Sequence, residues 1–146
     1  MIIINIINDY KNNLDYNEDS IKSLLKNILI DYNHKTASIS IILSNQKLLN
    51  TLKQQYFNVD QFTDVIAFNL EDENEDIDGE IYVSIDDILE NSIKYKTDLN
   101  NEFSRILIHG CLHLLGFDDK SNIQKKEMTE LENKYLSCLN KIFITL

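Results

Sequence analysis

Apolar positions along the chain alternate between two spacings, and each change of spacing marks a new element. Residues 2–7, IIINII, form a short apolar run bounded by polar residues, which predicts a strand. Over residues 20–32 the period lengthens, with Ile21, Leu24, Leu25, Ile28 and Leu29 recurring at helical intervals on one face. SISIIL at 38–43 reads as a second strand. Residues 45–56 return to a helix carrying Leu48, Leu49 and Leu52, with Ser44 or Asn45 placed to cap its first turn. TDVIAF at 63–68 is a third strand. The acidic stretch between residues 69 and 78 breaks the apolar pattern and reads as a solvated hairpin connection rather than a metal site. Gly79 then opens the strand EIYVS, and helices follow over 85–95, 99–115 and 122–139. The tail KIFITL is apolar but too short for the pattern to assign.

Strands mixed with helices first, and helices alone afterwards, predict an α+β fold in which a small mixed β-sheet packs against several helices. A chain of 146 residues without repeats or linkers fits one domain over 1–146. Cys111 and Cys138 form neither a disulfide framework nor a zinc knuckle, so both are expected as buried thiols in a reducing, cytoplasmic setting. The opening residues carry neither a basic leader nor a long apolar run, so no export or membrane span is expected. Net charge is −10, the wrong sign for gripping nucleic acid through a broad basic face, so any RNA contact must be local. Arg105 is the only arginine in the chain.

The chemistry concentrates in ILIHGCLHLLGFDDK. His109 and His113 stand four apart, which on a helix lifts the second imidazole one turn and rotates it by only about 40°, so both can meet one ion. Gly116 suits the left-handed residue that ends a helix, and Asp119 can return from the bend as a third ligand. The fourth tetrahedral position is then left for water, as a catalytic zinc requires. Asp118 is the rival for Asp119, separated from it only by the offset from His109. His34 sits among polar residues before a strand and is expected at the surface, outside the site. One zinc ion (Zn2+) is the expected cofactor, although nickel, iron or manganese also suit histidine and carboxylate.

The spacing is similar to the metzincin proteases, which read H-E-x-x-H-x-x-G-x-x-H. Such an enzyme needs a glutamate directly after the first histidine to take a proton from the zinc-bound water, and here that residue is Gly110. A metallopeptidase is therefore the weaker alternative.

HGCLHLLGFDD more closely resembles the signature of the YbeY family, H-G-x-L-H-L-x-G-Y/F-x-H, with Gly110, Leu112, Leu114, Gly116 and Phe117 in register and Asp119 in place of the last histidine. LKQQYFNVDQFTDVIAF at 52–68 and DGEIYVS at 78–84 resemble two further family segments, so the likeness spans roughly residues 38 to 135. It implies a zincin-like metal helix in a zinc-dependent, single-strand-specific endoribonuclease. It also implies work in small-subunit ribosomal RNA maturation and ribosome quality control, with ribosomal RNA and the small subunit and its proteins as partners. A family arginine implied to touch the substrate is Phe57 here, and the family's Gly-Asp is Gly79-Glu80, so the role of that arginine does not carry over.

His109 and Arg105 are the candidate catalytic residues. Arg105 lies one turn below His109 and could hold an RNA phosphate or, the simpler expectation, pair with Glu102. Asp64 and Glu80, near strand ends, are candidate proton carriers or partners for the histidines. A non-catalytic ribosome assembly factor with a structural zinc is the remaining alternative, which the acidic surface and Phe57 favour.

Overall fold

The computed structural model describes residues 1–11, 13–57, 63–71, 76–139 and 143–145. Three isoleucine-rich strands lie side by side, the central one buried on both faces over 41–44 and the edge one leaving Ile3 and Ile7 exposed. They are β1 (Ile2–Asn8), β3 (Ala37–Ser44) and β5 (Ile77–Ser84), with Ile4 opposite Ile39 and Ile39 opposite Gly79. β4 (Val65–Asn69) adds an antiparallel edge, with Ala67 facing Ile81, so the order is β1-β3-β5-β4 and the sheet is mixed. A second, two-stranded ribbon pairs β2 (Asp15–Tyr16) with β6 (Ile144–Thr145).

Among the described residues, five helices surround the sheet, which gives the expected α+β architecture. α1 (Glu18–Asp31) starts at Asn17, whose side chain accepts from the Ser20 N–H, and buries Ile21, Leu24, Leu25, Ile28 and Leu29. α2 (Gln46–Phe57) is capped by Asn45 rather than Ser44, the Asn45 Oδ1 accepting from the Leu48 N–H at 2.9 Å. α3 (Ile85–Lys94) is capped by Ser84. α4 (Leu99–Leu114) is the central helix, packed against α1, α3, α5, β4 and β5. α5 (Asn122–Leu136) begins with a reciprocal capping box between Ser121 and Gln124.

Several expectations are corrected. The strand expected over 63–68 starts at Val65. β5 begins at Ile77, inside the stretch read as a solvated connection, because the Leu70 N–H donates to the Asp78 carbonyl at 2.7 Å and extends the β4–β5 pairing. Residues 72–75 of that stretch lie outside the described residues. α5 stops at Leu136, where the backbone tightens into three-residue bonds from Cys138 to Tyr135 and from Leu139 to Leu136. Cys138 is accordingly exposed, whereas Cys111 is buried. In the tail, Phe143 is buried, and the Asn100 Oδ1 accepts from its N–H at 2.6 Å. Among the described residues no helix is long and apolar enough to cross a membrane.

Candidate metal centre

Helix α4 buries almost its whole circumference. Phe103, Ile106, Leu107, Ile108, Gly110, Cys111, Leu112 and Leu114 face the sheet and neighbouring helices, which leaves one partly exposed stripe of Glu102, Arg105, His109 and His113. Burial of the apolar majority thus fixes where the polar minority points. Gly110 packs so closely on the sheet that a Cβ there would lie 2.9 Å from the Ile81 Cγ2 and 3.3 Å from the Val65 Cγ2. A protease glutamate at this position would have to enter that contact.

The helix ends in a Schellman closure. The Phe117 N–H donates to the Leu112 carbonyl and the Gly116 N–H to the His113 carbonyl, with Gly116 at φ +99°. The chain reverses and delivers Asp119 beside the two imidazoles. His109 Nε2 and His113 Nε2 are 2.9 Å apart, and the Asp119 Oδ2 lies 3.4 Å from the first and 3.7 Å from the second. Ligands about 2.05 Å from a tetrahedral zinc are about 3.3 Å from one another, so this triangle has the size such an ion needs. Asp118 is turned away, its carboxylate accepting from the Asp119 N–H at 2.8 Å and lying 3.6 Å from the Lys120 Nζ. The Asp119 bond holds its carboxyl below the usual aspartate range. His34 stays outside the cluster.

The outer nitrogens explain why the inner ones are available. Glu132, on α5, accepts from the His109 Nδ1–H at 2.8 Å, which leaves a lone pair on Nε2. The two Nε2 atoms, at hydrogen-bond distance, and a carboxylate oxygen lie within 4 Å of one another, an arrangement that either a shared proton or a bound cation stabilises. Burial works against a charged His109, but the hydrogen bond and charge of Glu132, together with Asp119 and Asp64, outweigh it and raise its pKa. Burial and the neighbouring His109 lower that of His113. Glu132 is only 6% exposed. Burial alone would raise its pKa, yet the bonds from His109 and Arg105 prevail and hold it below the ordinary glutamate value.

Arg105 does not pair with Glu102. Its guanidinium donates to the Glu132 Oε1 and the Asn133 Oδ1, both at 2.8 Å, while Glu102 accepts from the Thr97 hydroxyl. The reason is solvation: Glu132 is buried and needs a compensating charge, whereas Glu102 is bonded at the more exposed start of the helix. Sequence reading missed Glu132 altogether. A lone glutamate in the polar run of α5 gives no local signal, and only the packing of α5 on α4 brings it to the imidazole.

The cluster forms part of the wall of an open cleft of 680 Å³ shared with Lys53, Phe57, Asp64, Val65 and Phe117. A second hollow of 400 Å³, lined by Arg105 and Glu132, shares Asp64, His109 and Asp119 with it. Asp64 therefore stands beside the cluster, and burial raises its pKa. Glu80 is not a lining residue and accepts from the Tyr82 hydroxyl at 3.2 Å. Among the described residues no fourth histidine, cysteine or carboxylate joins His109, His113 and Asp119.

A sequence profile described as "Endoribonuclease YbeY" matches residues 5–140. A protein of that name from Chloroherpeton thalassium is 35% identical over 122 residues, covering 84% of this chain and 86% of that relative. One from Azobacteroides pseudotrichonymphae is 38% identical over 112 residues, covering 77% and 80%. The solution structure of a Thermotoga maritima protein, 28% identical, superposes with a TM-score of 0.59 and covers 94% of this chain and 87% of that one.

Proposed function

The chain belongs to the YbeY family of endoribonucleases, and from that premise we propose that it cleaves single-stranded RNA using one zinc ion held by His109, His113 and Asp119. Its substrate on this reading is small-subunit ribosomal RNA, met in the cytoplasm on the assembling subunit and its proteins during maturation and quality control. The observation that carries the reading is the convergence of three donor atoms from one helix and the bend after it, beside an open cleft. Three protein donors suit a catalytic ion better than a structural one, which normally takes four.

Zinc, when bound, supplies Lewis-acid stabilisation of phosphoryl charge and a nucleophile at neutral pH. The protein's own groups do the positioning. Glu132 holds the His109 Nδ1 proton and so keeps the Nε2 lone pair directed at the cluster. Arg105 acts through Glu132, since its guanidinium donates to Glu132 and Asn133 of α5 and Glu132 in turn accepts from His109. It thus carries a positioning role in place of direct phosphate contact. Asp64 lines the same cleft beside the cluster and is the carboxyl placed to pass a proton to a departing oxygen.

The test is cleavage of a single-stranded fragment of small-subunit ribosomal RNA beside the same fragment annealed to its complement. The expected result is cutting of the single strand alone, abolished by a chelator and restored by zinc. Metal-loaded protein that leaves both intact would contradict the reading.

A further inference from the structure

An acidic protein that acts on RNA needs a local cation near its cleft, and the structure narrows where it is. Among the described residues, the cleft beside His109 and His113 is lined by two lysines, Lys53 and Lys120. Lys120 points outward, 86% exposed, and lies 3.6 Å from Asp118. Arg105 is bonded to Glu132 and Asn133. Lys53 differs from both: no carboxylate among the described residues lies within ion-pair distance, and its Nζ sits 4.8 Å from the centre of the Phe57 ring.

That placement is built locally. Lys53 and Phe57 are four residues apart on α2, hence neighbours on one helical face. The Phe57 ring is itself stacked on Phe68 of β4, with centroids 5.8 Å apart and planes 21° apart. Tyr56 and Tyr82 meet Phe68 edge-on from other directions. Aromatic packing anchored in the sheet thus supports a ring face that attracts an ammonium without neutralising it.

We propose that Lys53 grips a phosphate of the single-stranded RNA backbone at the cleft, and that Phe57 is the positioning residue that holds its ammonium there. The assignment rests on the endoribonuclease reading above. A lone ammonium contacts phosphate as a point charge and carries no base code, so the grip is independent of sequence.

The test uses full-length, metal-loaded protein and labelled single-stranded 2′-O-methyl RNA oligomers of several sequences, with binding followed by anisotropy across a salt series. Lys53→Gln should weaken binding equally for all sequences and flatten the slope of log affinity against log salt by about 0.7, the value for one phosphate contact on a single strand. Lys53→Arg should restore the slope. Phe57→Leu, which keeps an apolar side chain against Phe68, should weaken binding several-fold, whereas Phe57→Tyr should not. An unchanged slope in Lys53→Gln, a sequence-selective loss, or no binding by the parent would overturn the assignment. Cleavage of natural RNA separates the two readings. Parent that cuts RNA while Lys53→Gln keeps the full slope removes only the role of Lys53. A Lys53-dependent slope in a protein that never cuts RNA supports the grip and removes the endoribonuclease reading.

Discussion

Glu132 stands 23 positions from His109 in the chain, yet it decides which nitrogen of that imidazole carries the proton. Its substitution separates electrostatics from shape, because Glu132→Gln keeps an acceptor for His109 but loses the charge shared with Arg105. Partners of this kind commonly contribute 10- to 100-fold to metal affinity, so the variant should bind zinc about tenfold more weakly in competition titrations. In metal-free protein the same pair governs stability. Glu132's depressed pKa gives stability that is present above its ordinary value of 4.5 and is lost as pH falls through the folded value. The raised pKa of His109 gives stability that is complete below 6.5 and is lost as pH rises through its folded value. Melting curves of metal-free parent and Glu132→Gln should therefore differ most between pH 4.5 and 6.5, the difference vanishing as pH falls through the folded value of Glu132 and shrinking without vanishing at higher pH, where Arg105 still pairs with Glu132. A difference that does not vary with pH would show that the pair does not carry the interaction.

At the scale of elements, two glycines of the motif do different work, and one substitution at each tells them apart. At Gly116 an added Cβ meets nothing within 4 Å, so Gly116→Ala should cost about 1–2 kcal/mol through its left-handed backbone alone. At Gly110 the backbone is ordinary helix and the cost comes from the sheet. Gly110→Ala should cost about 1–3 kcal/mol by pushing α4 off the methyl groups of Ile81 and Val65. Denaturant unfolding measures both, and a neutral Gly110→Ala would show that α4 does not press on β5 as described. The Gly116 turn was legible in the sequence, because helix termination is local chemistry. The role of Gly110 in packing was not, since spacing reveals that a glutamate is missing but not that the sheet occupies its place. The helices likewise followed from their own apolar periods. The two-residue strands β2 and β6 did not, because Asp15 and Tyr16 acquire strand geometry only from Thr145 and Ile144, across almost the whole chain.

For the whole molecule, the layout explains how a protein of net charge −10 can present a workable site for an anionic polymer. The three expected donors were visible in the sequence because they lie within eleven residues of one helix and its bend. Of the groups around them, Asp64, just before β4, was a candidate from the sequence, whereas Glu132 from α5 and Lys53 from α2 were not. Asp119 offers an oxygen where the family pattern has a nitrogen, and the structure still brings it to within 3.7 Å of both imidazoles. The account therefore stands on these donors holding one ion that RNA cleavage requires. Metal content and ribonuclease rate, measured on the same preparations of the parent and of His113→Ala, test it most directly. The parent should carry about one zinc per chain, and His113→Ala should lose metal and cleavage together. Loss of the metal with cleavage unchanged would contradict it.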